Sequence, residues 1–296
     1  MNSKKTGILT FHNAINHGAV LQAYALKKVC DGLGYETHII DYSRERKTVI
    51  CAKKQPLSAH IQSIKLTVRK LLGLPWEVKR EKAFRAFRSR FLDETAHCDT
   101  ADEIRALGCS VLISGSDQIW NYKITGNKFD PVYFGSIDPD AKSIVYAASA
   151  QDTPFPLDKE LEFSQMLKSS NAAISIREKK LADYAACVTG NEYEVVLDPT
   201  LIADIADFDA VCAPRLSKKP YILLYQIDRN PSSDISVKAL CKHFGMNVYT
   251  LTAPRLGSVR GRRGDCGPLE FISYIKHAEF IVTNSFHGLA FSTGVL

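Results

Sequence analysis

Short apolar runs alternate with stretches of helical periodicity along almost the whole chain. Gly7-Ile8-Leu9-Thr10-Phe11 predicts a strand, and residues 20–33 place Leu21, Tyr24, Ala25 and Val29 on one helical face. Gly34 predicts a left-handed cap for that helix, and residues 37–40 a second strand closed by Asp41. The same rhythm continues with strands over 111–114, 143–148, 172–175 and 195–197. A helix covers 157–169, and another opens at Arg177. Residues 198–219 lose the rhythm and carry Pro199 and Pro214, so a domain boundary is expected there. A second unit follows, with a strand over 221–225, a helix over 233–244 and a strand over 247–251. After the Gly/Arg-rich loop 252–267, Pro268 opens a helix at its favoured first position. A last strand over 280–282 leads into a turn and a closing helix.

Strands alternating with helices predict an α/β fold built on parallel sheets with helices on both faces. The expected division is an N-terminal Rossmann-like domain, 1–205, and a C-terminal one, 206–296. The first carries a basic helical insertion, 44–92. The second ends barely two turns into a helix and holds few strands, so it is expected to be truncated.

Composition narrows the class. A chain of 296 residues has room for two domains. Its 45% apolar and 24% charged content is that of an ordinary globular protein. No apolar run approaches the ~20 residues of a spanning helix, and Met1-Asn2-Ser3-Lys4-Lys5 does not open a secretory leader. A cytoplasmic protein is expected, with the inner face of the membrane as one place of work. The eight cysteines form no CxxC pair, which argues against a zinc or redox motif and predicts reduced thiols.

Charge is unevenly spread. The whole chain carries +6, yet residues 44–90 hold fourteen Lys or Arg against three Glu, a local +11. Two amphipathic helices are predicted in this stretch. One has Ile61, Ile64, Val68, Leu71 and Leu72 on a face, and the other Phe84, Phe87 and Phe91, with Lys82, Arg85, Arg88 and Arg90 outside it. They read first as solvated helices packed on a domain, and second as a contact of residues 58–91 with anionic lipid. A nucleic-acid partner is not expected, because the aromatics follow helical spacing and no recognition module is present.

Open α/β sheets bind ligands outside the carboxyl ends of their strands. The loops there are therefore where chemistry is expected: 12–18 after the first strand, 115–121 after the third, Arg177 after the fifth, and Thr283-Asn284-Ser285-Phe286-His287-Gly288 after the last. No GxGxxG follows the first strand, so no dinucleotide is inferred. Each candidate has a structural alternative. His287 could cap a helix or lie satisfied in the core, Trp120 could lie in the core, and Arg177 could pair with Glu178 or Asp183. Asp198, before Pro199, reads as a turn residue.

Five segments in order resemble one family. They are Asn16-His17-Gly18-Ala19-Val20-Leu21-Gln22-Ala23-Tyr24-Ala25-Leu26, Ser114-Gly115-Ser116-Asp117-Gln118-Ile119-Trp120-Asn121, Ser175-Ile176-Arg177-Glu178, Val196-Leu197-Asp198-Pro199-Thr200, and the 283–288 turn. Together they resemble the polysaccharide pyruvyl transferases from about residue 7 onward. The resemblance implies two Rossmann-like domains in a GT-B-like arrangement, and transfer of pyruvate from phosphoenolpyruvate to a glycan as a ketal. One position departs: the better-described branch has Arg-x-His in the last motif, where this chain has Ser285-Phe286-His287.

Ketal transfer sets physical demands. The donor's phosphate and carboxylate need positive charge and oriented N–H groups. Its methylene carbon must be protonated, a task suited to an imidazole. The resemblance therefore implies His287 as general acid and Asp117 as the base for the attacking hydroxyl. Arg177, after a strand and at a helix start, is expected at the donor anion with Ser285; Arg260 and Arg262 of the 252–267 loop could replace the charge of the missing motif arginine, or belong to a solvated loop. Asn13, His17, Gly18, Gln118 and Trp120 are implied as the acceptor side. No metal and no cofactor are expected beyond phosphoenolpyruvate as co-substrate. The partner is a glycan acceptor, lipid-linked in one reading. Two other functions share the fold: a glycosyltransferase using a nucleotide sugar, with Glu270 as the carboxylate it would need near a helix start, and a non-catalytic glycan- or anion-binding relative.

Overall fold

The computed structural model describes residues 4–43, 75–150, 153–228, 230–251 and 264–294. The predicted Ile61–Leu72 face and Arg255, Arg260, Arg262 and Arg263 lie outside the described residues. In chain order the regular elements are β1 (Lys5–Leu9), α1 (His17–Gly32), β2 (Glu36–Ile39), α2 (Pro75–Phe91), α3 (Ala101–Ala106), β3 (Val111–Gly115), β4 (Lys142–Ala148), α4 (Leu157–Ser169), β5 (Ala173–Ile176), α5 (Lys179–Thr189), β6 (Glu194–Val195) and α6 (Ile205–Ala210). They continue as β7 (Tyr221–Tyr225), α7 (Pro231–Phe244), β8 (Asn247–Thr250), α8 (Pro268–Lys276), β9 (Phe280–Thr283) and α9 (Phe286–Gly294). The chain divides into two compact units, Met1–Tyr42 with Arg88–Ala210, and Ser43–Phe87 with Val211–Leu296.

The first unit holds a six-stranded sheet in the order β2-β1-β3-β4-β5-β6, and every pairing is parallel. Ile8 stands level with Ile39 on one side and Ile113 on the other, and Ile113 with Ile144. Strands covered on both faces are mostly apolar, and β3 is buried at every position, with Ser114 its one polar side chain. Asn16 starts α1 by accepting hydrogen bonds from the Gly18 and Ala19 amides. Gly34, at φ +86°, turns the chain out of it in the left-handed region, as expected. A reciprocal Thr100–Glu103 capping box opens α3, a helix that the apolar pattern alone does not reveal. An aromatic block of Trp120, Phe129, Phe134, Phe155 and Phe163 forms much of the core.

The second unit holds a three-stranded parallel sheet, β8-β7-β9. Its core gathers Ile222, Leu224, Val237 and Val248. Pro231 and Pro268 open α7 and α8, and Gly245, in the left-handed region, closes α7.

The basic insertion is divided between the two units. Residues up to Phe87 belong to the second unit, and only from Arg88 does α2 join the first. The cause is packing: Ala83 lies against Gly267 and Lys79 pairs with Asp265 at 2.6 Å. Phe84 and Phe87 are 2% exposed, so this apolar face is spent inside the protein. Among the described residues no helix is long and apolar enough to cross a membrane, and no disulfide joins the described cysteines.

Candidate functional site

Both sheets reverse strand order beside their first strand, β1/β3 in one and β7/β9 in the other. Such a switch point opens a crevice outside the carboxyl ends of the strands, where α/β proteins bind ligands. In the first unit Thr10 follows β1 and Ser116 follows β3. The Thr10 hydroxyl donates to the Ser116 carbonyl at 3.3 Å and accepts from Gln22 Nε2 at 2.7 Å. These bonds tie the two loops flanking the switch point.

Behind them lies a buried charged network. Arg177, just past β5, donates from Nε to Glu178 Oε1 at 2.7 Å, from NH1 to Asp198 Oδ2 at 2.9 Å and from NH2 to Ser149 Oγ at 2.8 Å. Ser116 Oγ reaches the same Asp198 oxygen at 2.9 Å, and Thr200 donates from both N and Oγ1 to Oδ1. The side chains of Arg177 and Asp198 are 7% and 0% exposed. Burial alone would lower the Arg177 pKa, but the Glu178 and Asp198 carboxylates outweigh it and raise it. Asp198 is thus a buried anchor of the carboxyl edge as well as the start of the Pro199 turn. The pairing of Arg177 with Glu178 is present, though buried, and the pairing with Asp183 gives way to Asp198.

Asp117 follows directly, in the left-handed region at φ 70°. Its carbonyl accepts from the Ser149 amide at 3.1 Å, which hangs this loop on the same network. Its half-buried carboxylate has no hydrogen-bond or ion-pair partner among the described residues. Gln118 Oε1 accepts from Asn121, and Asn13 Oδ1 from Arg88. Each amide oxygen is thereby engaged, and the NH₂ group of each is a donor suited to sugar oxygens.

Three expected acceptor ligands are placed otherwise. Trp120 is 0% exposed, stacked on Phe134 at 5.2 Å with its Nε1 donating to the Tyr133 carbonyl at 3.0 Å. Stacking on a sugar is corrected to a core role, because Phe134 and Phe163 occupy its ring surface. His17 is 0% exposed and Gly18 is buried, both in the first turn of α1. They shape the loop from beneath and do not present polar groups to solvent.

The strand-end loops also build a cluster that the sequence reading passed over. His12 Nδ1 lies 3.1 Å from the Thr10 carbonyl. Its Nε2 lies 3.4 Å from Asp41 Oδ1 and 3.6 Å from Glu94 Oε1. His97 sits between Asp41, at 3.1 Å, and Asp99, at 3.3 Å, and Arg88 Nε approaches Glu94 at 3.2 Å. A signal was available in the sequence: His12 and Asp41 lie three and two residues past β1 and β2. The hydrogen bond from His12 holds the Asp41 carboxyl down at about 2, against 3.8 ordinarily; burial opposes this and His97 assists. A depressed carboxyl contributes stability that is full above its unfolded pKa and lost as pH falls through the folded one. Between about pH 4 and pH 2 the protein is expected to lose on the order of 1–2 kcal/mol that Asp41→Asn does not lose. Superimposable acid-unfolding curves of the two proteins would refute this. Among the described residues no group of His, Cys, Asp or Glu converges to hold a metal ion.

In the second unit the edge is made by the turn between β9 and α9. Asn284 spans the switch point, accepting from the Ile227 amide at 2.9 Å and donating to the Asp228 carbonyl at 2.7 Å. Thr283 Oγ1 accepts from the Ser285 amide, and Ser285 Oγ accepts from the Gly288 amide at 3.2 Å. Ser285 is 7% exposed, so it reads as the helix cap. The capping alternative for His287 is thereby taken by another residue. His287 itself lies half-buried in the first turn of α9, with its ring edge-on to Phe286 at 5.1 Å.

A comparison with curated proteins finds no match. The family model described as polysaccharide pyruvyl transferase matches residues 16–295, nearly the whole chain. That span takes in all five motif segments, the switch point of the second sheet and the His287 turn, and the chain belongs to the polysaccharide pyruvyl transferase family.

Proposed function

We propose that this protein moves pyruvate from phosphoenolpyruvate onto two hydroxyls of a glycan, forming a ketal and releasing phosphate. The observation that carries the reading is the family match over residues 16–295. Support comes from polar and ionisable side chains collected at the switch points of two parallel sheets.

The chemistry balances without an oxidant or reductant. A proton adds to the methylene carbon of the donor, and the first hydroxyl oxygen adds to the neighbouring carbon and gives up its proton. Phosphate leaves, and the second hydroxyl adds with loss of its own proton. His287 is the proposed proton donor to the methylene carbon. Asp117, a carboxylate with no other protein partner among the described residues, is the proposed acceptor of a hydroxyl proton. Asn13 and Gln118 are proposed to hold sugar oxygens through their NH₂ groups. The nucleotide-sugar alternative gains nothing from Glu270, whose Oε2 accepts from the Gly267 amide at its own helix start.

The test is incubation with phosphoenolpyruvate and mixed capsular or cell-wall glycans. Phosphate release should match the appearance of a ketal methyl signal on the glycan. Glycosyl transfer from nucleotide sugars with release of the nucleotide instead, or no reaction with any donor, would sink the reading.

A further inference from the structure

Of the four basic residues expected outside the apolar face of α2, Lys82, Arg85 and Arg90 are exposed and Arg88 is not. The Arg88 side chain is 17% exposed, with its Nε 3.2 Å from Glu94 Oε1. A terminal nitrogen of the same guanidinium donates to Asn13 Oδ1. Glu94 is held from another side by His12, whose Nε2 lies 3.6 Å from the same oxygen and 3.4 Å from Asp41 Oδ1. His12 is 1% exposed and its Nδ1 faces the Thr10 carbonyl at 3.1 Å, so the ring is fixed at both nitrogens. Asp41 is held in turn by His97 at 3.1 Å. Burying charge is costly unless it is paired, and here each carboxylate meets a basic side chain. The contacts run from the end of β2 through the segment after α2 to the loop after β1, all within the first unit.

The run of contacts ends at Asn13, an exposed residue in the loop beside the β1/β3 switch point. A guanidinium only donates, so Arg88 selects which end of the amide it meets. The oxygen faces Arg88, and the NH₂ group has no partner among the described residues. Without Arg88, the amide of an exposed Asn turns about a broad, two-fold terminal torsion, and a ligand would have to order it on binding. A side chain that is already held spares the ligand that cost.

We propose that Arg88 is a positioning residue for the glycan acceptor. Held by Glu94 and by the His12–Asp41 pair behind it, Arg88 keeps the Asn13 amide turned so that its NH₂ group meets a sugar oxygen. The inference rests on the acceptor role proposed above for Asn13. It does not depend on phosphoenolpyruvate being the donor.

A double-mutant cycle on the full chain tests it. Affinity is measured on an immobilised panel of capsular and cell-wall glycans, with no donor present. The unaltered protein should bind at least one glycan. Arg88→Met and Asn13→Ala should each weaken that binding about 3–10-fold. The double variant should bind no more weakly than Asn13→Ala alone, because no amide is left to orient. A merely structural Arg88 would weaken binding by the same factor in both backgrounds, and that additivity overturns the proposal. So does unchanged affinity in either single variant, or no glycan bound by the unaltered protein. Arg88→Lys keeps a charge beside Glu94 but lacks the planar fork that reaches two partners, so it should lose part of the affinity. If Arg88→Met does not fold, Arg88→Lys takes its place in the cycle under the same criteria. Glycan binding that follows the cycle, without phosphate release from phosphoenolpyruvate, removes the donor reading and keeps Arg88.

Discussion

His287→Asn is expected to lower kcat for phosphate release by about 10²–10⁴-fold, the usual contribution of a positioned general acid. The melting temperature should move little. The helix start is held by Ser285 and Thr283 through side-chain hydrogen bonds to backbone amides, and His287 is only half-buried. The loss should fall on kcat more than on KM, because in the proposed reaction protonation of the methylene carbon occurs in the transition state and not in the bound ground state. The expected pH profile is informative too. The limb that reports the essential acid should vanish in the variant while residual turnover persists. Turnover within threefold of the unaltered enzyme would remove His287 from the chemistry.

Asp198→Ala is expected to produce the largest loss of stability. It removes the carboxylate that faces Arg177 NH1 at 2.9 Å and also accepts from Ser116 and Thr200. The guanidinium left behind is 7% exposed. Breaking a buried pair by deleting one partner typically costs about 3–5 kcal/mol, since the remaining charge stays out of water. For a unit of this size that corresponds to roughly 6–20 °C in melting temperature. Asp198→Asn keeps one acceptor oxygen, for Thr200 or for Ser116 but not for both, and should lose less. Because Ser116 and Ser149 also anchor the Asp117 loop, Asp198→Ala should depress activity even well below its melting temperature. A shift under about 2 °C would show that Arg177 is neutralised by Glu178 alone.

Much of the fold was legible from periodicity. Nearly every predicted strand lies within a few residues of an observed one, because buried parallel strands leave short apolar runs that no helix of that length would. The short helices α3 and α6 were not, because each spans only six residues and carries too little periodicity. The strand-end rule found the loops that bear Asp117, Arg177 and His287. It could not say which side chains in those loops point outward: Trp120 and His17 turn into the core, whereas Gln118 and Asn13 do not.

What residue order determined by itself is the local alternation of strand and helix, and with it the placement of turns at the carboxyl ends of parallel strands. Those depend on spacing within a dozen residues, which the chain states directly. Partnership across the sequence was decided only by the tertiary structure. Arg177 meets Asp198 instead of Asp183, His12 meets Asp41 and Glu94, and α2 up to Phe87 belongs with residues beyond Val211. Each of these turns on burial and on the three-dimensional path of the backbone. Both are set by how whole sheets and helices pack, and neither leaves a periodic trace in the sequence.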